Sequence, residues 1–289
     1  MLKTLTDNLF LSKQGWLCIK LGLVLHWLPD VGLMLWQADA IPFPTGLCAL
    51  VPCTIFLPTA VKAMLLVLMV AGSIFYLLEK RMSATLALLA VLSIISISLH
   101  ESGGMFLRAS LYSMVWVGQL LAYLIYMPNS AELVRFRYQF PVQLIAATYT
   151  LAAISKYCAS GLHWPADGAS YMAVQSFKGF AYAYYDALDP KTMQKGLEVV
   201  AFMVDHSAMI YALLAGALLV ESTVLLATLD RRITLLYGVL LFLMHMGIYF
   251  LMDIIIAGTY YSMLMFFVNP LGMVYFGFMA LKKSLGRKK

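Results

Sequence analysis

Long apolar stretches, separated by short polar turns, organise this chain from one end to the other. They cover approximately residues 16–36, 60–78, 83–99, 106–127, 140–158, 207–229, 233–256 and 261–281. Each is close to the roughly 20 residues that a helix needs to cross a hydrocarbon core. In lipid such segments must be helical, because every backbone N–H needs a partner within its own segment. The pattern predicts an all-α, polytopic membrane helix bundle with about eight transmembrane helices. It also predicts a single domain over 1–289 with no separate soluble domain.

The polar turns alternate in charge. One set of ends carries Lys3 and Lys13, then Lys80 and Arg81, then Arg135 and Arg137, then Arg231 and Arg232. The same set closes with Lys282, Lys283, Arg287, Lys288 and Lys289. On the opposite side, residues 37–58 and 257–260 hold no Lys or Arg. Basic residues collect in cytoplasmic loops, so eight spans with both termini in the cytoplasm satisfy every short loop. The expected location is a bacterial inner membrane. Ala38-Asp39-Ala40 resembles a signal-peptidase site, but the apolar stretch before it is long and holds His26, Pro29 and Asp30. The better expectation is an uncleaved first helix.

The longest connection, residues 159–206, mixes Trp164, Phe177, Phe180, Tyr182, Tyr184 and Tyr185 with Asp167, Lys178, Asp186 and Asp189. Aromatic rings with occasional charges suit a membrane interface. Residues 169–188 therefore read as an interfacial or re-entrant helix on the outer face, after the fifth span.

Composition removes whole classes of function. The chain is 62% hydrophobic and 12% charged, about half the charge of a soluble domain. A soluble enzyme and a disordered chain are excluded, and the lipid bilayer becomes the first partner. The net charge of +6 records topology; no zinc-finger spacing, P-loop or Gly-rich phosphate cradle accompanies it, so no nucleic-acid partner is expected. Cysteines stand at 18, 48, 53 and 158 without a CxxC pair. Cys48 and Cys53 share one outer loop, either bridged or as two small apolar residues.

Ionisable groups inside spans are costly, so they pair or serve a site. The candidates are His26 and Asp30 on the first span, Lys156 on the fifth, Glu221 on the sixth, and His245 and Asp253 on the seventh. Lys156 ends an apolar helix just before a Gly- and Pro-containing loop. It reads either as a lysine snorkelling to the headgroups or as a base, because poor solvation makes an amine easier to deprotonate. His26 and Asp30 share one helical face and read first as a packing pair. Glu221 and His245 flank a tight basic turn at overlapping depth, and a Glu–His hydrogen bond is the plain expectation. Asp253 is a candidate partner for Lys156 or an interfacial carboxylate. No metal site is expected.

Two blocks carry a family likeness. In RYQFPVQLIAATYTLAAISKYCASGLHWPADGASY, an apolar helix ends in Lys156, with Trp164, Asp167 and Gly168 following. In LLVESTVLLATLDRRITLLYGVLLFLMHMGIYFLMDI, Glu221 leads to Arg231 and Arg232, then to His245, Gly247, Ile248 and Asp253. The chain resembles the HTTM proteins, the vitamin K-dependent gamma-carboxylase-like membrane family. By motif position the resemblance implies Lys156 as the base and a reduced, vitamin K-like quinone as the cofactor. On an enzymatic reading Glu221 and His245 join Lys156 as candidate catalytic groups, and Trp164, Asp167, Asp253, His26 and Asp30 are candidate substrate-binding positions. The animal carboxylase adds a large lumenal domain with no counterpart in this sequence, so recognition of a protein glutamate is not expected here.

Three functions compete at this level. The first is a membrane enzyme using Lys156 on a quinol-like or other lipophilic small molecule near the outer face. The second is a non-catalytic membrane subunit for export, maturation or assembly, working with a membrane protein partner. The third is a transporter, for which an internal repeat would be the sign; none is seen.

Overall fold

Apolar length carries most of the chain into helix. The computed structural model describes residues 2–104, 110–252 and 257–286, and among them there is no strand. The α-helices in chain order are α1 (Leu2–Leu11), α2 (Lys13–Gln37), α3 (Thr59–Leu77), α4 (Met82–Ser102), α5 (Ser110–Ile125) and α6 (Ala131–Ser160). They continue with α7 (Trp164–Ala187), α8 (Pro190–Asp205), α9 (Ser207–Thr223), α10 (Arg231–Met252), α11 (Ala257–Met263) and α12 (Pro270–Gly286).

Among the described residues, six helical stretches are long and apolar enough to cross a membrane. They are α2, α3, α4, α9 with its 3₁₀ continuation to Thr228, α10, and the α11–α12 run over Gly258–Lys283. Many apolar side chains on α9 and α10 face outward, among them Leu213, Leu219, Leu236, Leu243 and Phe250. In water that surface would be an aggregation site; it suits lipid. The predicted fourth and fifth spans correspond to α5 and α6 and are not among the six. The apolar part of α5 that is described is short, Leu111–Ile125. α6 is long but carries Arg135, Arg137, Gln139 and Lys156.

Two helix boundaries differ from the hydropathy pattern. α6 begins at Ala131, well before the apolar stretch, because Ser130 Oγ accepts the Leu133 N–H at 3.0 Å and caps it. α1 was not anticipated. Its Leu9 and Phe10 are fully buried, and Ser12 then caps α2 by accepting the Gly15 N–H.

The helices group into two compact units. The first comprises Met1–Ile145, Ala227–Gly238 and Ile256–Lys289; the second comprises Ala146–Leu226 and Val239–Ile255.

In the first unit, α2, α3, α4 and α5 meet through an aromatic core. The Trp116 ring stands edge-on to Trp27 (5.5 Å) and to Tyr76 (5.0 Å), the geometry that ring quadrupoles favour. Two hydrogen bonds cross this core: Trp27 Nε1 donates to Ser93 Oγ at 2.7 Å, and the Tyr76 hydroxyl donates to Gln119 Oε1 at 2.7 Å. Asn269, buried in left-handed geometry ahead of α12, donates to the carbonyls of Leu9 and Gly15 and so ties α12 to α1 and α2. The loop between α2 and α3 closes on itself by a Cys48–Cys53 disulfide. Lys62 donates to the carbonyls of Trp36 and Ala38 at the end of α2.

In the second unit, the expected aromatic helix is α7, which starts at Trp164. Leu188 turns the chain in left-handed geometry, and Asp189 caps α8 through Lys191 N at 3.1 Å. α7 packs against α8 and α9 and also closes onto the end of α10. There Ser176 Oγ donates to the Leu251 carbonyl. A Cβ on Gly179 would sit 2.3 Å from the Met252 carbonyl oxygen, so glycine is what permits this approach.

Candidate functional site

Lys156 lies in the last two turns of α6, on the same face as Tyr149 two turns earlier. Just beyond α6, Gly161 takes φ +59° with open space where a Cβ would be. Its role is conformational freedom, which lets the chain reverse through a short 3₁₀ turn over Gly161–His163 into α7. The reversal returns Trp164 over the lysine: the Lys156 Nζ stands 4.9 Å from the centroid of the Trp164 ring. This is a cation–π contact of the strongest aromatic type.

The same ammonium donates to Glu221 Oε2 on α9. The Glu221 side chain is 8% exposed and that of Lys156 is 24% exposed. The carboxylate is therefore the more sequestered partner, and the Lys156 side chain is partly exposed. A buried ion pair is weakly stabilising at best, since desolvation offsets its Coulomb energy, but losing one partner is expensive.

A second polar contact follows one face of α6. The His245 ring on α10 has Nδ1 2.8 Å from the Leu241 carbonyl, which can only accept. Nδ1 therefore carries the proton, and in the neutral ring Nε2 is left as an acceptor. Nε2 lies 3.2 Å from the Tyr149 hydroxyl, which donates to it. The Glu221 carboxylate is within electrostatic reach of Tyr149. The sequence elements thus assemble in the second unit as Trp164, Lys156, Glu221, Tyr149 and His245.

Four of these five were candidates from sequence. Tyr149 was missed; its sign was the two-turn spacing from Lys156 on one apolar helix. The expected Glu221–His245 hydrogen bond is replaced by separate partners, Lys156 for Glu221 and Tyr149 for His245. Asp167 is exposed in the first turn of α7, where a carboxylate complements the helix dipole. Asp253 lies outside the described residues.

His26 and Asp30 belong to the first unit, on α2. The His26 ring stacks on Tyr261 at 3.8 Å with the planes 8° apart. Asp30 Oδ2 accepts from the Tyr112 hydroxyl at 2.8 Å. Each thus has an aromatic partner inside its own unit. Among the described residues, no group of three or more His, Cys, Asp or Glu side chains is arranged to hold a metal ion.

Comparison with family models, with curated proteins and with solved structures finds no match.

Proposed function

We propose that this multi-pass membrane protein is an HTTM-like enzyme that takes a proton from a lipophilic, quinol-like substrate, with Lys156 as the base. The observation that supports this reading is the ammonium of Lys156, held against the Trp164 ring and the Glu221 carboxylate on a side chain that is partly exposed. Transfer of the lysine proton to Glu221 leaves a neutral amine and a neutral acid. The amine then takes the hydroxyl proton of the substrate, and the substrate oxyanion is left beside the re-formed ammonium. Trp164 offers an aromatic face for a flat ring, and Tyr149 with His245 supplies a polar floor. We further propose that α5 and α6 cross the membrane as well. This gives eight spans with both termini in the cytoplasm of a bacterial inner membrane, and α7 lies at the outer interface.

The test uses reduced vitamin K as the probe, with oxygen present and the purified full chain in lipid nanodiscs. Oxidation of the quinol is followed against Lys156→Arg and Lys156→Ala. Arginine keeps the positive charge and the ion pair, but it does not release its proton. Both variants are expected to lose turnover by about 100-fold or more, the scale of a positioned acid–base group. Wild-type turnover in Lys156→Arg would overturn the base.

A second reading has its own observation: Lys156, Glu221, Tyr149 and His245 all have partners within the protein. A non-catalytic subunit would use these contacts to hold helices together. In that case Lys156→Arg preserves every function and Lys156→Ala loses stability alone.

A further inference from the structure

The first unit holds a second constellation that the proposed chemistry does not use. At the turn between α3 and α4, a cavity of about 560 Å³ is lined by Glu79, Arg81, Tyr123, Tyr126, Asn129 and Arg137, with smaller residues between them. A second cavity, of about 540 Å³, shares Arg81 and Ala84 with it. This one continues between α3 and α4, and Leu68, Gly72, Phe75 and Leu88 make its walls apolar. The two adjoin at Arg81 and Ala84, the first carrying the charged and tyrosine side chains and the second lined mostly by apolar ones.

The first cavity carries excess positive charge. Arg137 is 9% exposed, and its guanidinium lies over the Trp16 ring at 4.5 Å and hydrogen-bonds the Tyr123 side chain. Its contact with Glu79 is long, 3.9 Å, because that carboxylate is taken up by Lys20 at 2.9 Å. Lys20 and Arg137 therefore share one carboxylate, and Arg81 adds a further positive charge to the lining. The fork geometry of arginine suits the oxygens of a phosphate.

The position in the fold selects the source of that phosphate. α3 and α4 are both apolar enough to span a membrane, so the turn joining them lies at headgroup depth and the groove beneath it at acyl-chain depth. Free phosphate would leave the groove empty. A zwitterionic lipid would bring its own cation to the arginines.

We propose that this cavity pair binds an anionic phospholipid, with the phosphate at Arg137 and Arg81 and one acyl chain in the groove between α3 and α4. The site is separate from Lys156 and independent of any chemistry there.

The experiment uses the full chain in a non-ionic detergent, titrated with phosphatidylglycerol, with phosphatidylcholine of matched chains, or with inorganic phosphate. Retained lipid is read by native mass spectrometry and stabilisation by the thermal midpoint. Phosphatidylglycerol is expected to be retained and to raise the midpoint, ahead of phosphatidylcholine, while inorganic phosphate does neither. Arg81→Gln is expected to weaken phosphatidylglycerol about tenfold, the scale of one charge-assisted hydrogen bond. Ala84→Trp keeps every charge and blocks the passage between the cavities, and it should weaken the lipid by at least as much. Arg232→Gln, an exposed basic residue elsewhere, should leave binding unchanged. Equal response to the two lipids, equal response to inorganic phosphate, or an Arg232→Gln loss matching Arg81→Gln each overturns the proposal. So does unchanged binding in both cavity variants.

Discussion

Each unit holds a lysine–glutamate pair, and burial falls on opposite partners. In the first unit Lys20 is the sequestered member, 3% exposed against 47% for Glu79. Its ammonium also donates to the Leu77 carbonyl at 3.0 Å and stands 5.9 Å from the Tyr76 ring centroid. In the second unit the carboxylate is the sequestered member, 8% exposed against 24% for Lys156. The chemistry of the pair is the same, but only one of the two lysine side chains is partly exposed. Burial, and not the presence of an ion pair, separates a cation enclosed by its own helices from a candidate base.

The comparison predicts a crossed pattern of stabilities, because the cost of breaking a pair depends on which charge is left stranded. Lys156→Ala leaves the buried Glu221 carboxylate alone and should cost on the order of 3 kcal/mol, at the low end for a broken buried pair because Lys156 is partly solvated. Lys20→Ala leaves Glu79 facing outward with Arg137 still near, and about 1 kcal/mol or less is expected, as for exposed pairs. Replacing the acids reverses the order: Glu79→Gln strands the buried Lys20 and should destabilise more than Glu221→Gln does. Unfolding midpoints of the four variants in one detergent, followed by helical circular dichroism, decide the matter. Equal losses for Lys156→Ala and Lys20→Ala would break the comparison.

Two tyrosines sharpen it at smaller scale. Tyr112 donates to a carboxylate in the first unit, and Tyr149 donates to a neutral imidazole in the second. Tyr112→Phe should cost about 1.5 kcal/mol, since a charged acceptor loses its donor. Tyr149→Phe should cost about 0.6 kcal/mol, the average for a polar contact between membrane helices. The same unfolding measurement reads both, and a larger loss at Tyr149 would mean that its contact with His245 is reinforced by the nearby Glu221 charge.

Much of the helical architecture was legible in the residues. The stretch 83–99 appears as α4, Met82–Ser102, and the stretch 233–256 begins as α10 at Arg231. The aromatic helix in the long connection appears as α7. The residues that escaped are those whose role needs a neighbour. Asn269 is a single polar residue in an apolar run, and it becomes structural only because the carbonyls of Leu9 and Gly15 arrive beside it. α1 lacks the length to stand out by hydropathy, and its Leu9 and Phe10 are buried by tertiary contact. The Cys48–Cys53 pairing, open at the level of sequence, followed once the loop folded back on itself.

By itself the sequence determined the helices, their apolar faces and the short list of charges that lipid would have to tolerate. Those follow from local rules: a backbone without water must bond within its own segment, and side chains repeat every 3.6 residues. Only the tertiary structure decided who faces whom. It paired Glu221 with Lys156 and gave His245 to Tyr149. It also left the Lys156 side chain partly exposed while burying that of Lys20. Partner choice depends on the rotation and depth of each helix against its neighbours, which side-chain packing sets and no single segment encodes.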